Sequence, residues 1–187
     1  MKLYCPSRIA SLLVVLATLS LEANTFTVIQ TNSAGAGSLP VIIEQANAAP
    51  GDQTIEFGVT GTITLVSPLP TITNNLSIDG RAGNPVIISG GGTTPIFTFA
   101  MGTTNTLSQL VLMNGYTAGD GAAINNAGTL FVSDCALSNN IAPSGNGGAI
   151  KNGGVLTIET TTIAGIQLEV GKLQSIFYYK GGGDAHP

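Results

Sequence analysis

The feature that most limits what this chain can become is an internal echo. Residues 121–132 read GAAINNAGTLFV, and residues 147–158 read GGAIKNGGVLTI. The segments agree at Gly121/Gly147, Ala123/Ala149, Ile124/Ile150, Asn126/Asn152, Gly128/Gly154 and Leu130/Leu156, always 26 residues apart. A self-match at a fixed period of this size marks a stacked array, because one unit alone has no way to bury its apolar side. The period suits one coil of three short strands and three turns, whereas a propeller blade needs about 40 to 45 residues. It predicts an all-β, single-stranded parallel β-helix, and the handedness of parallel crossovers makes that solenoid right-handed.

Stacked coils explain the glycines. Neighbouring coils lie ~4.8 Å apart and each must bend sharply between strands. A bend with positive φ costs little only for Gly and, secondarily, Asn. Gly121, Gly128, Gly147, Gly148 and Gly154 are therefore expected at bends that recur one period later. Asn126 over Asn152 predicts a short amide ladder, each side chain donating to the next. Ile124/Ile150, Leu130/Leu156, Val132/Ile158 and Leu137/Ile163 are expected to stack inward as a continuous core. These residues build coils; none is assigned chemistry.

The rest of the chain agrees with that frame. Its 187 residues include 25 Gly and no Trp, with 43% hydrophobic and only 9% charged residues. Such poverty in Lys and Glu argues against a helix bundle, and the apolar content argues against disorder. Residues 25–32 (TFTVIQTN) alternate as a strand, and SAGAGS follows as a loop. One amphipathic helix is expected in SLPVIIEQANAAPGD, with Ser38 as its cap, Leu39, Ile42, Ile43 and Ala46 as its apolar stripe, and Pro50 and Gly51 ending it. It would lie over the open amino-terminal end as a capping helix. Gly35 and Gly37 lack the third glycine and the lysine of a phosphate-binding loop. From Gln53 onward the pattern is short strands and turns.

The first residues read as a leader. Lys2 and Arg8 precede IASLLVVLATLSL, an apolar run shorter than the ~20 residues a membrane-spanning helix needs. It fits a secretory signal peptide, with processing expected between Ala23 and Asn24 although Leu21 is large for its position. The expected organisation is a signal peptide over 1–23, an amino-terminal cap over 24–57, β-helix coils over 58–165 and an irregular tail over 166–187. No later segment is apolar and long enough to span a membrane as a helix. Cleavage would leave Arg81, Lys151, Lys172 and Lys180 against nine acidic residues, a net charge of −5. An acidic chain with no basic patch offers no electrostatic footprint for nucleic acid. Cys5 would leave with the leader, so Cys135 has no partner for an internal disulfide.

The GGAI of Gly147, Gly148, Ala149 and Ile150 resembles the repeat of the polymorphic outer-membrane proteins, autotransporter-type surface proteins with a right-handed parallel β-helix passenger. That family pairs GGA[I/L/V] with FxxN; here LSNN over 137–140 puts Leu in place of Phe, and the upstream copy is GAAI. Residues 35–57, GAGSLPVIIEQANAAPGDQTIEF, are similar to the lead-in of secreted β-helix proteins, with Pro40 where Arg is usual. The resemblance implies an exported protein of the outer membrane, cell surface or extracellular space, acting as an adhesion, binding or structural passenger. It implies no cofactor or metal, and glycan or cell-surface protein partners. The pattern breaks after Gly165, so the chain is expected to be an amino-terminal fragment whose open last coil invites self-association.

A polysaccharide-degrading enzyme of the pectate-lyase kind is the alternative. A lyase wants a strong base, and Arg81 is the one arginine left after cleavage. A hydrolase wants carboxylates at controlled separation. Asp79, Asp120, Asp134 and Glu159 are candidates, and Asp134 and Glu159, nearly one period apart, are expected to stack. His186, the sole histidine, lies at the extreme end, so no Ser/His/Asp set is expected in the core. GGGD near that end occurs once, whereas calcium-binding nonapeptides need stacked copies.

Overall fold

Most short alternating segments become strands in which every other residue faces inward, and successive strands turn a corner instead of folding back. The computed structural model describes residues 23–81 and 83–165, together with the backbone of 177–179. Residues 1–22 of the leader, Lys172, Lys180 and His186 lie outside the described residues. Strand β1 (Thr25–Val28) and helix α1 (Leu39–Ala48) come first. The first coil holds β2 (Gln53–Phe57) and β3 (Gly61–Thr64), and its third side is an Ile72 bridge to Phe99. The second coil is β4 (Leu76–Asp79), β5 (Val86–Ser89) and β6 (Phe97–Phe99). The third is β7 (Thr104–Ser108), β8 (Leu110–Met113) and β9 (Ile124–Asn126). The fourth is β10 (Thr129–Ser133), β11 (Ala136–Ser138) and β12 (Ile150–Asn152), and the fifth is β13 (Val155–Glu159), β14 (Thr162–Ala164) and β15 (Phe177–Tyr179).

Three parallel sheets result, ordered β1-β2-β4-β7-β10-β13, β3-β5-β8-β11-β14 and β6-β9-β12-β15. The chain is a parallel β-helix of about five turns with one short helix. The repeat sets its register: Leu130 pairs with Leu156, Val132 with Ile158, Leu137 with Ile163, Ile124 with Ile150 and Asn126 with Asn152. Leu130, Val132, Leu137, Ile124 and Ile150 are buried in one continuous core. Their partners Leu156, Ile158 and Ile163, in the fifth coil, are only partly buried against it.

Helix α1 closes the other end. Leu39, Ile42, Ile43 and Ala46 are its buried stripe, set against β1 and β2. Pro40 sits in the first turn, where its missing N–H has no helical partner to lose. Ser38 occupies the N-cap position but makes no capping bond; its Oγ is buried without a partner. The carboxyl end is tied instead by Asn74, whose Nδ2 donates to the Ala46 and Ala49 carbonyls at 3.0 and 2.8 Å.

Two further details differ from the reading of the sequence. β2, grouped there with the cap, forms the first side of the first coil through its pairing with β4. Within 166–187, read as irregular, Phe177–Tyr179 pair in parallel with Ile150–Asn152 and complete the fifth coil.

Candidate functional site

The repeat residues divide by the job each does. Gly121 and Gly147 both have φ of +65°, and a Cβ on either would fall on a carbonyl oxygen three residues ahead, that of Ile124 or Ile150. Gly128 and Gly154 have no positive φ; they are glycine because another coil's backbone passes too close. A Cβ on Gly128 would meet the Ala100 and Thr103 oxygens at 2.6 Å, and one on Gly154 would fall on the Gly128 oxygen. The expectation that all mark positive-φ bends is thus corrected for these two, and for Gly148, which has no positive φ either. Gly148 has the Asn140 oxygen 3.1 Å from a would-be Cβ, and Ala149 and Ile150 are buried.

Asn126 and Asn152 form the expected ladder. Asn126 Nδ2 donates to Asn152 Oδ1 at 2.7 Å, and each side chain brackets the glycine two residues on. Asn140, also buried, accepts from the Gly115 N–H and donates to the Leu112 carbonyl, tying the second bend of the fourth coil to that of the third.

The carboxylates do not converge. Asp134 and Glu159 are out of register: Glu159 pairs with Ser133, and Asp134 donates its N–H to the Glu159 carbonyl. The residue equivalent to Asp134 is Thr160, one period on, and both have left-handed φ, +52° and +46°. Asp120 accepts from the Asn146 N–H at 2.7 Å and from its Nδ2 at 3.2 Å, joining two loops of successive coils. Asp79 accepts a hydrogen bond from Ser108 Oγ at 2.7 Å. It also pairs in register with Glu56, so two carboxylates neighbour each other on the first sheet's outer side. Among the described residues no group of three His, Cys, Asp or Glu side chains is placed to hold a metal ion.

What sequence reasoning missed is the corner between the first two sheets. In the third coil a single residue, Gln109, separates β7 from β8, and two residues make the same corner in the fourth and fifth coils. In the second coil six residues, 80–85, do so. Arg81, Gly83, Asn84 and Pro85 are exposed there and form a ridge, with a recess on each side of Arg81. The larger, about 510 Å³, has Arg81, Gly83 and Pro85 as its wall and residues of the third to fifth coils as its floor. The smaller, about 340 Å³, places Arg81 beside Glu56 and Asp79. The only legible signal was the wide spacing between ITLV, SIDG and PVIIS, since a loop insertion breaks no hydrophobic pattern.

Cys135 lies under the larger recess. It is buried, its Sγ donates to the Ser133 carbonyl at 3.2 Å, and burial pushes its thiol pKa up. Ala23 and Asn24 stand at the amino-terminal start of the stack. The Asn24 N–H donates to Gln53 Oε1 at 3.1 Å, and its carbonyl accepts from Thr54. Among the described residues no helix is long and apolar enough to cross a membrane. No model of a known protein family matches the chain, and no curated protein matches its sequence.

Proposed function

We propose that this is an exported β-helix protein of the cell surface or extracellular space, serving as an adhesion, binding or structural passenger segment similar to the polymorphic outer-membrane proteins. The observation that carries this reading is the outer face of the first sheet. Register places Thr25, Thr54, Ser77 and Thr106 in one row and Thr27, Glu56, Asp79, Ser108 and Ser133 in the next. Rows of short polar side chains ~4.8 Å apart make an extended hydrogen-bonding surface on a rigid stack. Such a surface suits contact with a glycan or a cell-surface protein.

The test has two arms. Mass spectrometry of the exported protein is expected to find Asn24 as the first residue. Cells displaying the chain are expected to gain adherence that Thr54→Lys/Thr106→Lys, charges set in the middle of the row, abolish. Adherence unchanged by those substitutions overturns the binding role.

In the same reading the last coil is sticky. β13, β14 and β15 each stand at the end of their sheet, and Val155 is 58% exposed. Among the described residues no strand pairs with their outer edges, and such edges beside exposed apolar side chains favour self-association. Sedimentation equilibrium is expected to show concentration-dependent growth that Val155→Lys suppresses.

Arg81 on the ridge between two recesses favours a second reading, a polysaccharide lyase. Release of unsaturated, ultraviolet-absorbing products from polygalacturonate, lost in Arg81→Ala, would establish it.

A further inference from the structure

We infer that the recess beneath Arg81 is a binding site for a segment of an uncharged, linear polysaccharide, laid along the stack with one sugar unit per coil. The inference rests on the reading of the chain as a surface-binding protein and names the ligand class and the place. It starts from the ridge in the connection over residues 80–85, six residues at a corner that takes three in the first coil and one or two in the third to fifth. The ridge turns a flat corner into a walled trough of about 510 Å³, within the ~300–1,000 Å³ range of small-ligand sites.

The trough has two kinds of surface. Its floor includes the outward-facing Val111 and Ala136, an apolar bed for the C–H face of a pyranose ring. Along it run Gln109, Asp134 and Thr160, one polar side chain from each successive coil. All three have φ between +46° and +56°, so the same bend presents them in the same way at each level. Polar groups therefore recur every ~4.8 Å along the trough, about the length of one pyranose unit. An extended peptide presents side chains on one face only every ~6.8 Å, two residues of rise, and falls out of step within a coil.

Charge narrows the class. Arg81 supplies donors at one end and Asp134 an acceptor in the middle, a pair suited to sugar hydroxyls. A polyuronate would find one guanidinium but would meet Asp134 within the trough, with Asp79 and Glu56 just across the ridge. Repulsion from these carboxylates favours a neutral chain over an anionic one. This separates the site from the lyase reading, in which an acidic polymer is the substrate.

The experiment is titration calorimetry and amide-shift mapping of the whole exported chain with cello-, manno- and N-acetylchito-oligosaccharides of graded length, with oligogalacturonate as the anionic comparison. One neutral series is expected to move the amides of Gln109, Asp134 and Thr160, with affinity rising until the oligosaccharide spans the trough and then levelling. Arg81→Ala and Asp134→Ala are each expected to weaken it about tenfold, the loss of one charge-assisted hydrogen bond. Thr98→Ala, on the outer face of the third sheet, leaves it unchanged. Arg81 and Asp134 are both exposed, and an unchanged melting temperature confirms that the variants fold. No shift with any neutral series, tighter binding of oligogalacturonate, or equal affinity in the variants would overturn the site. Cell adherence that persists without any such shift sinks this site alone and leaves the surface-binding role standing.

Discussion

Replacing Asn126 by leucine removes the side chain that joins two coils at the third corner. Asn126 is fully buried; its Nδ2 is 2.7 Å from Asn152 Oδ1 and 3.0 Å from the Val155 oxygen, and its Oδ1 accepts from the Gly128 N–H at 3.1 Å. The Gly128 carbonyl, also within reach at 3.1 Å, keeps the Val155 N–H at 2.9 Å and is not stranded. The Gly128 N–H loses its acceptor, whereas Asn152 Oδ1 loses its inter-coil donor but keeps the Gly154 N–H at 3.3 Å. One stranded donor costs ~1–3 kcal/mol and the two lost inter-coil bonds about 1 kcal/mol each, against ~1–2 kcal/mol regained by burying leucine in place of an amide. The expected net loss is about 2–3 kcal/mol, a large part of a typical domain's ~5–15 kcal/mol. Asn152→Leu should cost less, about 1–2 kcal/mol, because its own partners at Gly154 are part-buried and lie next to the final coil. The double variant should then fall short of the sum by about 1 kcal/mol, the energy of the bond that both singles break. Urea unfolding followed by far-ultraviolet circular dichroism measures all three. A stable Asn126→Leu protein, or strictly additive singles, would refute the ladder as a source of stability.

Three other outcomes follow from the same geometry. Gly147→Ala should destabilise by ~1–3 kcal/mol, since its Cβ would lie on the Ile150 oxygen at a φ that L residues rarely adopt. Gly153→Ala, with nothing nearer than 3.5 Å, should stay within ~0.5 kcal/mol of the parent in the same unfolding assay. Leu130→Ala should cost about 3 kcal/mol, and Leu156→Ala, its partly buried register partner, about half that; equal losses would mean that the fifth coil is as well covered as the fourth. The Cys135 thiol pKa is raised by burial above its ordinary value near 9.0, so its contribution is fully present below that value and is lost as pH rises through the higher folded pKa. Melting temperature should therefore fall with pH on the alkaline side, and Cys135→Ala should flatten that slope.

The period made the coil legible because stacking forces equivalent residues to share an environment. Ile124 over Ile150 and Asn126 over Asn152 could be assigned from spacing alone, and the helical stripe of Leu39, Ile42, Ile43 and Ala46 followed from its own periodicity. What spacing did not reveal depends on distances between backbones. Gly128 and Gly154 look like turn glycines in a string of letters, yet only the approach of a neighbouring carbonyl requires them. Asp134 and Glu159 missed register by one residue, because the corner step is 25 residues from Gln109 to Asp134 but 26 from Asp134 to Thr160. Ser38 has the identity and the extended backbone of a cap, yet its Oγ makes no bond, and Pro40 two residues on has no N–H to give it. The ridge at Arg81 escaped notice for a related reason: an insertion at a corner leaves every inward residue in place.

Sharing one register among β7, β10 and β13 has a consequence for how long such a protein is. Removing residues 129–154 would run Gly128 straight into Val155, and Val155–Glu159 would settle on Thr104–Ser108 as Thr129–Ser133 do now. Excising an odd number of residues within a strand would instead swing Leu156 and Ile158 to the outer face. Reach is therefore adjustable in whole notches, by duplication or loss of a single genetic segment, while the closing helix keeps the same neighbours and the surviving layers keep the same contacts.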